Sequence, residues 1–254
     1  MELTILGAAS HYPKPGAPCS GALLEHDGTA VLVDAGPGTL AELQRYRSPA
    51  DLDAIWISHV HADHTADLLP LYYALRFGDL PERPPVPVLG PPDLRKRLVA
   101  FLGGGAEDGI DAAFAFTSLA DRDARRIGAI DLTWRAVDHD VPAWALRAEA
   151  GAASIVVTGD AAPCTALQEL AAGCDLLLAE AGAEREDAHP AHLTPEQAGA
   201  LADTADASRL VLTHLALTLD PADAARRAAT RYDGPVEVAV SGARVSVGLP
   251  TVEA

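Results

Sequence analysis

The sequence predicts an α/β protein in which two β-sheets pack together and helices cover both outer faces. The β-prone segments fall into two groups along the chain, and segments with helical periodicity lie between them. The clearest helical segments are residues 65–77, 93–102, 195–206 and 221–232. The 254 residues are 49% hydrophobic and 22% charged, and no Ser/Gly linker interrupts them. Such a chain can form one large core, so we predict a single domain over residues 1–254.

Turn signals place the first elements. Asp27-Gly28 is typical of a two-residue β-hairpin turn, so we expect His26 on a surface strand. Upstream, His11 lies in a turn-rich loop that could edge a functional site, although the sequence gives it no ligand partner. The Pro-rich residues 80–87 predict a surface connection that leads into a strand and a helix.

The most informative segment is residues 58–64, SHVHADH, which follows an apolar, β-prone run. It places three imidazoles and one carboxylate within six residues. Zinc and similar cations accept these groups as ligands, and a strand that ends in a loop directs alternate residues at one point. His59 and His61 would share one metal ion, whereas Asp63 and His64 point to a neighbouring volume for a second ion. The segment therefore predicts a two-metal site.

A two-metal site needs more ligands than one loop supplies, and isolated candidates occur at the ends of other β-prone runs. These candidates are His139, Asp160 and His214. Functional groups collect on such loops because packed strands fix their positions while the loops stay accessible. Taken singly, a His or Asp at a strand end is more typical of a helix cap or a turn. The prediction depends on the whole set.

Taken in order, these motifs resemble those of the metallo-β-lactamase superfamily, most closely its branch of ribonuclease Z and small cyclic-nucleotide phosphodiesterases. The resemblance includes the His-x-His-x-Asp-His segment, the single His139, Thr-Gly-Asp ending at Asp160, and Leu-Thr-His ending at His214. Further matches are VDAG at residues 33–36, AEA at residues 179–181 and HLTPEQA at residues 192–198. The resemblance extends from about residue 3 to about residue 248. It implies a four-layer αββα sandwich, the metallo-β-lactamase fold, with metal ions at one edge.

The resemblance also implies two divalent metal ions, with zinc expected and manganese or iron as alternatives. The ligands would be His59, His61 and His139 for the first ion, Asp63, His64 and His214 for the second, and Asp160 as the bridge. Ions about 3.5–4 Å apart would share a water that loses a proton near neutral pH and becomes the nucleophile. Asp34, otherwise an ordinary turn residue after a strand, would orient a ligand imidazole.

His192 distinguishes this branch from other hydrolases that share the metal loop. The resemblance gives it contact with the scissile phosphate and protonation of the leaving oxygen, supported by Glu180. The predicted catalytic residues are therefore His192, Glu180 and Asp63, the last as a ligand that could also act as a base. In the alternative interpretation, His192 only precedes a helix. Thr194 and Gln197 already make a capping box without it, which disfavours that interpretation.

The net charge and the short segment between His139 and Asp160 both disfavour a large RNA substrate. The net charge of −17 repels a polyanion, whereas a tRNA-processing enzyme is expected to have a basic surface. Ribonuclease Z enzymes usually carry a Gly-rich basic arm, but residues 140–159 hold only a strand, a turn and a strand. We therefore favour a hydrolase of small, cyclic nucleotide-like phosphodiesters. The alternatives are a ribonuclease Z-like tRNA 3′-end endonuclease, a lactone or thioester hydrolase, and a non-catalytic binding module.

Three features bear on location and partners. The three cysteines have no metal-binding or redox spacing, which fits a reducing compartment. The N-terminus lacks a basic, apolar leader, and no apolar run approaches the roughly 18 residues of a membrane span. We expect a cytoplasmic protein with a small-molecule substrate and no membrane association. Dimers are common in the branch it resembles, but no segment marks an interface.

Overall fold

Two seven-stranded β-sheets face each other in the computed structural model, which describes residues 1–186 and 188–248. An apolar cluster fills the space between the sheets and contains side chains from both, including the fully buried Trp56 and Trp134. Each aliphatic side chain buried in such a cluster contributes about 1.5–3 kcal/mol. The sheets are therefore held together along their inner faces.

The first sheet contains most of the N-terminal strands and the last strand of the described chain. Its strands are β1 (Glu2–Gly7), β2 (Gly21–His26), β3 (Thr29–Val33), β4 (Ala54–Trp56), β5 (Val86–Gly90), β6 (Phe114–Ser118) and β14 (Arg244–Ser246). They lie in the order β14-β1-β2-β3-β4-β5-β6. β2 and β3 form the predicted hairpin, in which His26 pairs with Thr29 across Asp27-Gly28.

The second sheet is built from consecutive strands of the second half. They are β7 (Ala124–Ile127), β8 (Ile130–Val137), β9 (Ala143–Ala150), β10 (Ala153–Val157), β11 (Leu176–Glu180), β12 (Leu210–Thr213) and β13 (Val236–Val238). β8 alternates buried and accessible residues, whereas every residue of β10 is buried. This difference is expected because β8 pairs with antiparallel neighbours near the sheet edge, and β10 adjoins the parallel, helix-covered part.

Both sheets share one pairing pattern, with three antiparallel pairs followed by three parallel pairs. The parallel strands β3 and β4 of the first sheet and β10, β11 and β12 of the second end at one edge of the sandwich. Loops at the carboxyl ends of parallel strands are the usual place for ligand sites. This edge brings the predicted site residues together.

Helices cover the outer face of each sheet. On the first sheet lie α1 (Thr39–Leu43), α3 (Leu68–Phe77), α4 (Leu94–Leu102) and α5 (Glu107–Ala113). On the second lie α6 (Thr165–Ala171), α7 (Pro195–Thr204) and α8 (Pro221–Ala228). Short α2 (Ala62–Thr65) belongs to the loop after β4, and Pro49–Asp51 forms a 3₁₀ turn. The four layers confirm the predicted αββα sandwich.

The predicted helix over residues 65–77 is interrupted near its start. α2 ends at Thr65 and α3 begins at Leu68. Between them the Asp67 N–H donates to the carbonyl of Ala35, and the Asp67 carboxylate accepts the N–H of Leu40. These long-range bonds hold the chain against the end of β3, so the helix cannot continue through this point. Among the described residues, no helix has the length and apolar character needed to cross a bilayer.

Candidate metal centre and active site

Ser58 fixes the loop that follows β4 through three polar groups, which bind two partners. Its N–H and its hydroxyl both donate to Asp34, which lies just after β3. Its carbonyl accepts the N–H of Trp144 on β9 in the opposite sheet. The histidine-rich segment therefore leaves β4 from a point attached to both sheets. A rigid support of this kind is what a precisely placed ligand set requires.

The first group of ligand atoms comes from both halves of the chain. Nδ1 of His61 lies 3.1 Å from Nε2 of His59 and 3.3 Å from Nε2 of His139. Oδ2 of Asp160 lies 3.7 Å from Nε2 of His59. Ligands of a tetrahedral zinc ion, with bonds of about 2.0–2.1 Å, are about 3.3 Å apart. The spacing of these four side chains therefore fits one metal ion.

The second group adjoins the first and shares Asp160 with it. Nε2 of His214 lies 3.2 Å from Oδ2 of Asp63 and 3.6 Å from Oδ2 of Asp160. Nε2 of His64 lies 3.3 Å from Oδ1 of Asp160. The two oxygens of Asp160 thus face both groups, as a bridging carboxylate would.

Three buried atoms in this second group have no hydrogen-bond partner among the described residues. One is Nδ1 of His214, and the other two are Nε2 of His64 and Oδ1 of Asp160, which approach each other without hydrogen-bond geometry. Buried polar atoms without partners are costly and uncommon. A metal ion between His64 and Asp160 would satisfy those two atoms, so the donor set fits the group that the resemblance implies.

The outward-facing nitrogens of three ligand imidazoles are hydrogen-bonded. Nδ1 of His64 lies 2.8 Å from Oδ2 of Asp34, Nδ1 of His59 lies 3.0 Å from Oγ of Ser58, and Nδ1 of His139 lies 3.0 Å from the carbonyl oxygen of Ala191. Partners of this kind fix the ring orientation and direct the other nitrogen to the metal. Asp34 lies where the sequence predicted it. Ser58 and Ala191 were not predicted, because a neighbouring hydroxyl and a backbone carbonyl carry no sequence signal for this role.

Electrostatics within the cluster favour a bound cation. Burial lowers the pKa of His59 and of His61, so both stay neutral, the form that binds metals. Burial also opposes the charged form of His64, but Asp160 and Asp34 outweigh it and raise the pKa of His64 well above its usual value. The buried carboxylates therefore attract positive charge to this position. A divalent ion would supply it.

Asp63 is held as an anion. Burial raises the pKa of its carboxyl, but the hydrogen bond from His214 and the charge of His64 outweigh burial and hold that pKa below its usual range. Its Oδ2 also accepts the backbone N–H of His11 at 2.9 Å. A carboxylate with so low a pKa suits a metal ligand better than a proton acceptor.

His192 lies beside both groups of ligand atoms. Its ring centroid is 5.1 Å from that of His139 and 5.7 Å from that of His214. The rings of His192 and His214 are nearly parallel, with 12° between their planes. Nδ1 of His192 lies 3.0 Å from Oε1 of Glu180 and 4.0 Å from Oδ2 of Asp160. Burial lowers the pKa of His192, but Glu180 outweighs burial and raises it to about 9. The imidazole is therefore protonated at neutral pH.

Glu180 is buried at the end of β11, and its carboxylate accepts hydrogen bonds from several neighbouring loops. Besides His192, its carboxylate accepts backbone N–H groups from Ala161, Gly182 and Leu193. α7 begins nearby with the predicted capping box of Thr194 and Gln197, which is present in addition to the Glu180 pair. Glu180 therefore positions His192 and also joins the loops that carry it.

Two glycines allow close approach at the site, and both fall within or next to the matched motifs. A Cβ on Gly36 would lie 2.0 Å from the carbonyl oxygen of Asp63, so only glycine lets the loop after β4 pack against the end of β3. A Cβ on Gly182 would lie 2.8 Å from Nδ1 of His192. These positions explain why short glycine-containing motifs follow β3 and β11.

Comparisons with known sequences agree with the motifs. A family model described as the β-lactamase superfamily domain matches residues 29–215. An uncharacterized protein of Mycobacterium tuberculosis, Rv1339, is 35% identical over 248 residues, which cover 94% of this chain and 90% of that protein. A ribonuclease Z of Mycobacterium bovis is 30% identical over 198 residues, which cover 70% of this chain and 69% of that protein.

Comparisons with solved structures agree with the fold. The metallo-β-lactamase fold protein YhfI from Bacillus subtilis has a TM-score of 0.85 and 26% identity, covering 96% of this chain and 99% of its own. The short form of human tRNase Z has a TM-score of 0.78 and 21% identity, covering 98% and 100%. Together with the family match, they confirm the resemblance drawn from the motifs. The chain belongs to the β-lactamase superfamily, a family of metal-dependent hydrolases with the metallo-β-lactamase fold.

Proposed function

We propose that the protein hydrolyses small phosphodiesters, cyclic nucleotides in particular, with two zinc ions at the described ligand groups. The observation that carries the proposal is the position of His192, which lies beside a ligand of each ion and is paired with buried Glu180. A phosphate held across both groups would have a protonated imidazole next to it. Hydrolysis of a diester needs such an acid because the departing alkoxide must gain a proton.

Each side chain has a defined task in this proposal. When bound, the metal ions would neutralise the phosphate oxygens and activate the attacking water. Asp34 and Ser58 orient two of the imidazoles that hold them. Glu180 binds Nδ1 of His192 and keeps the ring protonated. Nε2 of His192 is then the nitrogen that delivers a proton to the leaving oxygen. Asp63 acts as a ligand.

Charge and size support a small substrate. The chain has 36 acidic and 19 basic residues, so a polyanion is repelled at long range, whereas a small diester brings one charge to a site that would be neutralised by metal ions. Between His139 and Asp160 the structure has only β9 and β10, joined by a two-residue turn. No basic arm therefore extends from this part of the chain.

Ribonuclease Z-like endonuclease activity is the second candidate. It is favoured by the 30% identity to the mycobacterial ribonuclease Z, which extends over 70% of this chain. The same His192 and Glu180 pair would serve RNA cleavage. The acidic surface and the short β9–β10 turn make precursor tRNA the less favoured substrate.

The test uses protein reloaded with zinc or manganese and four substrates: a cyclic nucleotide, bis(p-nitrophenyl) phosphate, a precursor tRNA and a lactone. We expect the two small diesters to be cleaved. His192→Ala should lower turnover of the cyclic nucleotide by about 10²–10⁴-fold. It should lower turnover of the nitrophenyl ester much less, because nitrophenolate leaves without a proton.

Each other result would point to a different function. Cleavage of the precursor tRNA alone would support the ribonuclease candidate. Turnover of the lactone alone, unaffected by His192→Ala, would replace the phosphodiesterase proposal with carbonyl-ester hydrolysis. Equal loss with both diesters would remove His192 from its role as the leaving-group acid.

A further inference from the structure

His11 lies at the mouth of the site in an unusual backbone conformation. Its φ is 61°, in the left-handed region that disfavours a residue with a Cβ. Its side chain is exposed, and its ring centroid is 6.0 Å from that of His214, with 29° between the planes. Its N–H donates to Asp63. A strained residue that borders a site is a reason to look for a functional role.

The loop that carries His11 is braced on both sides. Ser10 Oγ donates to the carbonyl of Leu215 at 2.7 Å. Lys14 and Ala17 exchange two backbone hydrogen bonds, which close the far end of the loop. The backbone of His11 is therefore held in place by neighbouring structure, and its side chain is exposed. A preorganised loop loses little conformational freedom when one of its residues binds a ligand.

Two other imidazoles lie close to His214. The ring centroid of His192 is 5.7 Å from that of His214, and the ring centroid of His11 is 6.0 Å from it. In the proposed function, His192 contacts the leaving oxygen. The exposed ring of His11 is then available to the part of the substrate that stays on the phosphorus.

We propose that His11 is a substrate-binding residue that contacts the substituent retained on the phosphorus, and so selects for a bulky or planar group there. An imidazole offers a flat face and two hydrogen-bonding nitrogens to such a group. Ser10 and Leu215, which adjoin His11 and His214 in the chain, line a largely apolar groove. This inference rests on the proposed function.

One substitution can remove the His11 side chain without removing its backbone contact. His11→Gly removes the imidazole but keeps the left-handed backbone and the N–H that binds Asp63. Asp27→Gly is the matched control, since Asp27 is exposed, has a φ of 48° and lies in the remote β2–β3 hairpin. Both variants should bind as much zinc as the original protein.

The kinetic test compares two p-nitrophenyl diesters that differ only in the retained substituent, thymidine 5′-yl or methyl. His11→Gly should raise KM for the thymidine ester by about two- to tenfold, the range for one ring contact, and leave kcat nearly unchanged. KM for the methyl ester should not change. Equal effects on the two esters, or none on either, would overturn the proposal.

A binding test separates this inference from the proposed function. Thymidine 5′-monophosphate and inorganic phosphate are titrated into zinc-loaded protein by calorimetry, without turnover. His11→Gly should weaken the nucleotide and spare inorganic phosphate. If no diester is cleaved but the nucleotide is still weakened selectively, the phosphodiesterase proposal fails and the role of His11 stands. If the nucleotide is not weakened, or does not bind, the role of His11 is wrong.

Discussion

Oδ2 of Asp34 lies 2.8 Å from Nδ1 of His64, and both side chains are buried. The other oxygen of Asp34 accepts the N–H of Ser58. One carboxylate at the end of β3 therefore orients a ligand imidazole and also holds the start of the metal loop. Asp34 has a φ of 58°, so the end of β3 is strained to bring the carboxylate to this position.

Asp34→Asn should weaken metal binding without changing the fold. Asparagine tolerates the left-handed conformation, but it removes the charge that holds the Nδ1 proton of His64. We expect the affinity for zinc to fall by about 10–100-fold, as for other residues that orient metal ligands. The measurement is a competition titration with a chromogenic chelator. Asp27→Asn, with the same substitution at a left-handed surface residue, should change nothing. Unaltered zinc affinity in Asp34→Asn would refute this role.

Glu180→Gln should move the alkaline limb of the pH–rate profile. Glu180 raises the pKa of His192 to about 9, so the protonated ring is present below that pH and lost as pH rises through it. Without the carboxylate charge, the ring should lose its proton nearer pH 6.5, its ordinary value. The rate with a cyclic nucleotide should then decline from a lower pH than in the original protein.

Glu180 also accepts three backbone N–H groups, so this variant needs a control for folding. Thermal melting will show how much stability the substitution costs. The rate at low pH, where His192 is protonated in both proteins, gives the internal reference. An alkaline limb at the same pH in both proteins would mean that Glu180 does not govern the His192 proton.

Gly182→Ala should impair catalysis while sparing the metal site. The new Cβ would lie 2.8 Å from Nδ1 of His192 and 3.0 Å from Oε2 of Glu180, so the pair must separate. We expect kcat for a cyclic nucleotide to fall by about 10²-fold or more, with unchanged zinc content. Gly104→Ala is the matched control, because a Cβ there meets nothing within 4 Å. Retention of kcat in Gly182→Ala would argue against the pair as the source of the proton.

Zinc should stabilise the protein, and the effect should weaken as pH falls. At a hundredfold excess over Kd, a ligand of the folded state contributes about 2.7 kcal/mol, or about 5–10 °C in Tm for a chain of this size. Histidine ligands bind metal only when neutral, so protons compete as pH falls. Scanning fluorimetry with zinc or with a chelator at pH 7.5 and pH 5.5 measures the difference. A Tm that does not respond to zinc at pH 7.5 would contradict the ligand assignment.

Local sequence features predicted much of the fold, and the structure bears them out where the signal is local. β8 ends at Val137, just before His139, where the end of a strand was predicted, and the capping box at Thr194 starts α7 as expected. The helix predicted over residues 65–77 is two helices, because Asp67 is held by Ala35 and Leu40 from another part of the chain. Helical periodicity carries no information about such a partner.

Residue type and local pattern were enough to identify the residues that offer ligand chemistry and to place them at strand ends. His59, His139 and His214 could be selected because imidazole type and strand periodicity are properties of a short segment. The fold was needed to show which of them meet, how Asp160 faces both groups, and that the ring of His11 lies beside that of His214. These contacts join residues from different strands and loops, through hydrogen bonds that often use backbone atoms. A backbone N–H or carbonyl is the same for every residue type, so its role becomes visible only when the folded chain fixes its neighbours.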